Sequence, residues 1–306
     1  MDFAIVVPLL AATVQTGTPI LYATLGEMIT EKGGVLNLGV EGMMSVSALA
    51  AFLVAYSTGS PWLGLLAGGL AGSLMGAVHA FVCVTCLGNQ VVSGLALTIL
   101  GLGLTTFLGT PYVGLSAPGF TPFDLPGLSA IPALGRIFFQ QDALVYLSFC
   151  IPPLLWVFFR RTSLGLAVTA VGEMPGAAAA AGLKPLRLRY FATSAGGFFI
   201  GLGGAYLSLA YTHLWTSGLS GGRGWIAVAL VIFAFWKPGR AVLGAYLFGG
   251  IMAFQLRFQA LGTHIPSSLL LMLPYLLTIF ALVLSAWSGR GPEAPKALGV
   301  NIEPEG

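Results

Sequence analysis

Three carboxylates crowd into one stretch of a chain that carries little charge. Glu27, Glu31 and Glu41 lie within residues 26–44, a segment punctuated by five glycines and flanked by long apolar runs. A carboxylate taken out of water costs several kcal/mol unless it is paired or solvated. Acids in such surroundings mark a proton or cation site, a solute path, or a polar connection that reaches water. As a connection between two membrane spans, the stretch lets Glu27, Glu31 and Lys32 share solvent and offset one another. Glu41 falls inside the next apolar run, and Arg223 and Arg257 are the cations that could answer it.

No catalytic set accompanies these acids. The patterns H-E-x-x-H and G-x-S-x-G are missing, and His79, His213 and His264 are far apart with no metal-ligand spacing. His79 reads as a satisfied structural histidine. None of the four lysines, Lys32, Lys184, Lys237 and Lys296, follows a glycine, so no phosphate-cradling loop is present. If ATP drives this chain, another subunit binds it. Cys83 and Cys86 have C-x-x-C spacing but sit in an apolar helix, where packing is the expected role. No enzyme activity, cofactor, metal or nucleic-acid partner is expected.

The elements that must hold the acids are membrane helices. The 306 residues are 57% hydrophobic and 8% charged, whereas a soluble domain carries roughly 25% charged residues. The apolar runs are of helix-span length, not the ~10 residues of a barrel strand. The expected fold is all-α: a polytopic bundle of about nine spans (eight to ten) embedded in the lipid bilayer. One membrane domain covers 1–289 and a weakly ordered cytoplasmic tail covers 290–306. The spans are placed at 3–25, 36–56, 62–87, 91–109, 143–159, 190–211, 225–236, 241–260 and 267–287. The seventh is too short to cross unaided, which makes it tilted, re-entrant or broken. Gly64, Gly68, Gly72 and Gly76 repeat every four residues and give span three a face for close helix contact. Ser93, Thr98, Thr105 and Thr106 offer hydroxyls that either bond their own helix or line a polar path.

Residues 110–141 break the apolar pattern with five prolines and form a loop, with a short interfacial helix near Ile137. Residues 160–189 are the most basic segment, holding Arg160, Arg161, Lys184, Arg187 and Arg189 against Glu173. The positive-inside rule puts this segment in the cytoplasm and its arginines at lipid headgroups. The amino terminus is then outside, the carboxyl terminus inside, and the 110–141 loop outside. A short helix over about 174–182 is expected, with Glu173 capping it, Pro175 in its first turn and Gly182 ending it.

Four stretches carry a resemblance. They are the segment from Gly26 to Met43; Ala170-Val171-Gly172-Glu173-Met174-Pro175 with Ala178, Ala179 and Gly182; the region from Gly222 to Gly250 with Trp236-Lys237-Pro238; and Met272-Leu273-Pro274-Tyr275 with the tail around Ala294 to Gly299. Together they resemble the permease subunits of bacterial ABC uptake systems for ribose, other simple sugars and branched-chain amino acids, and most closely the nucleoside subgroup. Thr169 and Met174 depart from the arginine and asparagine frequent there.

The resemblance implies a multi-pass protein of the bacterial cytoplasmic (inner) membrane. It implies ATP-binding subunits, a second permease (related or identical) and an outer-face solute-binding lipoprotein as partners. Its amino-terminal signature corresponds to Glu27, Glu31, Gly34, Asn37, Gly39, Glu41 and Gly42. Its ATPase-coupling motif corresponds to Gly172, Glu173, Pro175, Ala178, Ala179 and Gly182. Polar residues on the apolar spans, namely Asn37, Glu41, Ser45, Ser93, Thr98 and Ser194, are candidates to line the path. The expected solute is a nucleoside; a simple sugar, a branched-chain amino acid or a stand-alone secondary transporter or channel are the alternatives.

Overall fold

The computed structural model describes residues 3–260, 266, 269–270, 272–287 and 294–302. His264, Arg290 and the start of the expected ninth span lie outside them. Among the described residues these helices follow in order: α1 (Phe3–Lys32), α2 (Val40–Thr58), α3 (Pro61–Ala80), α4 (Gln90–Gly109), α5 (Leu134–Phe138), α6 (Ala143–Arg161), α7 (Ser163–Glu173), α8 (Pro175–Ala180), α9 (Pro185–Tyr206), α10 (Arg223–Phe233), α11 (Pro238–Ala260) and α12 (Leu273–Trp287). Wider-wound turns at Phe81–Thr85 and Leu207–Tyr211 extend α3 and α9. Among the described residues, six helical runs are long and apolar enough to cross a membrane: Val6–Lys32, Val40–Thr58, Pro61–Thr85, Gln90–Tyr112, Ala143–Arg161 and Pro238–Ala260. The protein is a mostly helical membrane bundle, as expected. A pair of two-residue strands, β1 (Phe123–Asp124) and β2 (Gln140–Gln141), adds a small hairpin inside the 110–141 loop. The short helix expected near Ile137 is α5.

Helix α9 is the hub, packed against α1, α2 and α3. Glycine makes this possible. A Cβ on Gly72 would collide with the carbonyl oxygen of Gly197, and one on Gly76 would reach 2.5 Å from that of Thr193. The same repeat meets α2 through Gly64, where a Cβ would stand 2.6 Å from the Ala51 carbonyl oxygen. The four-residue glycine spacing therefore serves two neighbours. Threonines in α1 bond back to their own helix, as Thr18 does to Val14 (2.8 Å) and Thr24 to Ile20 (2.7 Å), so they add no exposed polar surface to the seams.

Two boundaries differ from the sequence expectation in ways that matter. Helix α1 does not stop at 25 but runs on to Lys32, because residues 26–32 lack a breaker until Gly33-Gly34, where Gly34 takes φ +83°. Glu27 and Glu31 are therefore helical and fully buried, and they share no solvent with Lys32. Helix α9 begins at Pro185, a residue suited to the first helical position, so Arg187 and Arg189 lie inside a helix. Arg189 is 1% exposed and cannot be a headgroup anchor.

Candidate functional site

The stretch from Gly33 to Gly39 is irregular backbone enclosed within the bundle. Gly42, just beyond it, packs on Leu97 and Thr98 of α4. These lie about 12 Å along α4 from its start at Gln90, taking about 1.5 Å per residue. Helix α2 thus starts part-way through the bundle. Non-helical backbone at that depth is tolerated only if its polar groups find partners in the protein or a cavity. Here they do. The Leu36 amide donates to Gln90 Oε1 (2.7 Å) and its carbonyl oxygen accepts from His79 Nε2 (3.0 Å). The Asn37 amide and Nδ2 donate to the two Glu27 oxygens at 3.2 and 3.1 Å. The Gly39 amide donates to Asn37 Oδ1 (2.8 Å), and Thr98 Oγ1 donates to the Leu38 carbonyl (2.9 Å).

Since a carbonyl only accepts, His79 carries its proton on Nε2, and its Nδ1 accepts from Ser93 Oγ at 3.0 Å. Ser93 is spent on this contact. Glu31 accepts from Trp236 Nε1 at 2.6 Å, which fixes the turn between α10 and α11 to the end of α1.

Glu41 has partners after all. Its Oε1 accepts from Ser220 Oγ (2.6 Å) and the Gly222 amide (2.8 Å), and its Oε2 accepts from the Gly224 amide (2.7 Å). The carboxyl thus answers the orphan N–H groups that open α10. Glycine is required where the chain turns into it: Gly222 has φ +80°, and a Cβ on Gly224 would sit 2.5 Å from the Glu41 Cα. Ser45 Oγ lies 2.8 Å from Ser220 Oγ. Arg223 is buried at the first residue of α10. Its guanidinium stands 5.5 Å from the Tyr211 ring centroid, and its buried Nε has no hydrogen-bond partner. Two helix starts, those of α2 and α10, meet at one carboxyl. Tyr211 also lines a cavity of about 300 Å³ between α1 and α11, with Gln15, Thr16 and Arg257 on its other walls.

The end of the bundle at Lys32 carries a second assembly. Helix α7 ends at Glu173 and α8 follows, closed by Gly182 at φ +83°. The N-cap position of α8 is Met174, whose side chain makes no capping hydrogen bond. Residues 294–302 of the tail lie across this end. Arg189 donates to the carbonyl oxygens of Val300 (2.7 Å) and Ala297 (3.3 Å), and the Ala297 amide donates to the Gly172 carbonyl (2.9 Å). Asn301 donates to the Leu87 carbonyl (2.6 Å) and accepts from Gln90 Nε2 (3.1 Å). Gly34 fits in this cluster because a side chain there would press on Arg189 (2.9 Å) and Gly172 (3.2 Å).

Comparison with known proteins bears on what this arrangement belongs to. Residues 9–282 match the profile of the permease component of branched-chain amino acid transport systems. The chain belongs to that permease family. The Haloferax volcanii protein TsgC13, which carries a provisional name as a glucose ABC transporter permease, is 50% identical over 83% of this chain and 78% of its own. The guanosine ABC transporter permease NupQ of Bacillus subtilis is 35% identical over 97% of this chain and 96% of its own. The nucleoside ABC transporter permease NupC of Lactococcus lactis is 33% identical over 93% of each. No solved structure matches. The permease is a multi-pass protein of the cytoplasmic membrane, not an enzyme, and the family implies ATP-binding subunits and a solute-binding partner in general.

Of the path candidates in the permease, Asn37 bonds Glu27 and Thr98 bonds the irregular segment directly, Ser93 reaches that segment through His79, and Ser45 reaches Glu41 through Ser220. Ser194 stands apart, on the α3–α9 seam beside Gly76. Ser220, the Gly222 and Gly224 amides, Trp236 and Arg189 were missed as partners. The glycine run Gly218, Gly221, Gly222 and Gly224 was the available signal for a broken helix start.

Proposed function

We propose that this permease forms the translocation path of an ABC importer for a small uncharged polar solute, and that the solute is a nucleoside. The observation that carries the reading is the meeting of two helix starts at Glu41, inside the bundle and next to Arg223 and Tyr211. Broken helices meeting at depth are the recurrent way for a transporter to offer polar groups to a solute. Tyr211 supplies a ring face for a base, while Gln15, Thr16 and Arg257 supply donors and acceptors for hydroxyls. Nine crossings follow if α9, the short α10 and α12 are counted with the six long apolar runs. Residues 160–189 then face the cytoplasm, and Gly172, Glu173, Pro175, Ala178, Ala179 and Gly182 form the surface that seats the ATPase. A second permease chain, related or identical, and an outer lipoprotein complete the assembly.

The Haloferax volcanii relative favours a second reading, transport of a simple sugar. Competition against uptake in vesicles carrying the assembled transporter separates the two. Guanosine competes and glucose and leucine do not, on the reading proposed. Competition by glucose alone makes the sugar reading correct, and competition by leucine alone overturns both.

A further inference from the structure

Residues 294–302 hold three parts of the bundle that are far apart in sequence. Asn301 Nδ2 donates to the carbonyl oxygens of Leu87 (2.6 Å) and Gly88 (3.2 Å), and Asn301 Oδ1 accepts from Gln90 Nε2 (3.1 Å). Carbonyls only accept, so these contacts fix which end of the amide is Nδ2. One side chain therefore grips the turn that joins α3 to α4. That turn needs a grip, because Leu87 takes φ +56°, a conformation that strains any residue with a Cβ. Further along the tail, Arg189 of α9 donates to the carbonyls of Ala297 and Val300. The Ala297 amide donates to the Gly172 carbonyl in the last turn of α7. Within the tail, the Leu298 and Val300 amides close two turns onto the carbonyls of Pro295 (3.0 Å) and Ala297 (3.2 Å). The tail thus spans its anchors as a compact unit.

These contacts close a ring. Gly172 also packs on the end of α1: a Cβ there would collide with the Lys32 carbonyl oxygen and stand 3.2 Å from the Gly34 amide nitrogen. Gly34 belongs to the irregular segment. Further along that segment the Leu36 amide bonds Gln90 (2.7 Å), and Gln90 bonds Asn301. The last turn of α7 therefore reaches the irregular segment by two arms, one direct at Gly34 and one through the tail. With both arms closed, a shift of α7 carries the segment at both points. With the tail arm open, α7 is tied to it only at Gly34. We propose that residues 294–302 are a clasp that couples the end of α7 to the irregular segment, with Asn301 as its positioning residue. This role rests on the proposed function, in which α7 and α8 seat the ATPase. The Lys296 side chain is exposed and lies outside these contacts.

Hydrogen exchange on the detergent-purified permease, measured beside transport by the assembled complex in proteoliposomes, tests the clasp. In N301A, amide exchange should rise in residues 87–90 and in the last turn of α7, while the rest of the bundle exchanges as in the wild type. Solute imported per ATP hydrolysed should fall about fivefold or more, the lower end of the usual range for coupling between sites. N301Q keeps the amide and should recover part of both. K296A should match the wild type in both. If N301A does not assemble, N301S carries the same two readings. Wild-type exchange at the end of α7 in N301A, or raised exchange there with an unchanged ratio of import to hydrolysis, overturns the proposal. Lost coupling in K296A with N301A unchanged also overturns it, and assigns the tail a surface contact instead. Absence of ATP-driven uptake by the wild-type assembly would sink the importer reading, whereas the exchange result decides separately whether the tail holds α7.

Discussion

At the scale of single residues, Glu41 organises more structure than any other acid in the described chain. It is 4% exposed and takes hydrogen bonds from a serine and two backbone amides that belong to the start of α10. Glu41→Ala orphans the Gly222 and Gly224 amides while leaving Ser220 able to turn to Ser45. A buried donor without a partner costs about 1–3 kcal/mol, so with two orphaned the variant should lose about 2–6 kcal/mol. Glu41→Gln keeps one acceptor oxygen but sets an NH₂ group against an N–H, and should lie between wild type and alanine. Thermal unfolding of the purified proteins checks the order. An alanine variant that unfolds with the wild type would mean that α10 starts unaided. The sequence exposed this residue as an acid in need of a partner, and it suggested Arg223 or Arg257. The partners are instead backbone N–H groups, which no residue type announces. Only the glycines that let the 218–224 turn approach Glu41 hint at them.

At the scale of elements, packing around α9 depends on hydrogen in place of side chains. The Gly72–Gly197 crossing brings two backbones together, and a Cβ on Gly72 would also press to 2.8 Å on the Gly201 Cα. Backbone cannot move aside as a flexible side chain does. Gly72→Ala should therefore cost about 1–3 kcal/mol, the usual range for overpacking a tight contact. Gly103 on α4 is the control: a Cβ there meets nothing within 4 Å. Gly103→Ala should be neutral or stabilise by up to about 1 kcal/mol, the helix preference of alanine over glycine. Unfolding measurements on the two variants side by side decide the point, and equal effects would dismiss the role given to the seam. This seam was legible from the four-residue glycine spacing alone. The end of α1 was less so, because the polar sequence from Glu27 to Lys32 reads as a loop until the acids are seen to have buried partners in Asn37 and Trp236. The docking of residues 294–302 was hidden for a different reason. Residues 294–302 are held by main-chain groups of the tail reaching Arg189 and Gly172, far away in sequence, and their own composition of proline, glycine and polar residues suggests only a loose end.

At the scale of the whole molecule, the proposed path and the proposed coupling face are separate places on one connected frame. Gln90 bonds both Leu36 of the irregular segment and Asn301 of the tail, and the tail in turn bonds Gly172 at the end of α7. Contiguous contacts of this kind are a physical route for coupling. If α7 and α8 transmit closure of an ATPase, the surface they offer must be small and weakly charged, as Ala178, Ala179 and Gly182 make it. Replacing Glu173 and Gly182 together by arginine should leave membrane insertion intact and abolish ATP-driven uptake. Gly182 stands at φ +83°, so part of any loss arises from backbone strain alone. Gly182→Asn, which tolerates that conformation, isolates this part and should retain most of the uptake. ATP hydrolysis by the assembled transporter, measured beside uptake, identifies the step that fails: hydrolysis without uptake marks lost transmission, and loss of both marks lost docking. Uptake at the wild-type rate in the double variant would show that the ATPase engages the permease elsewhere.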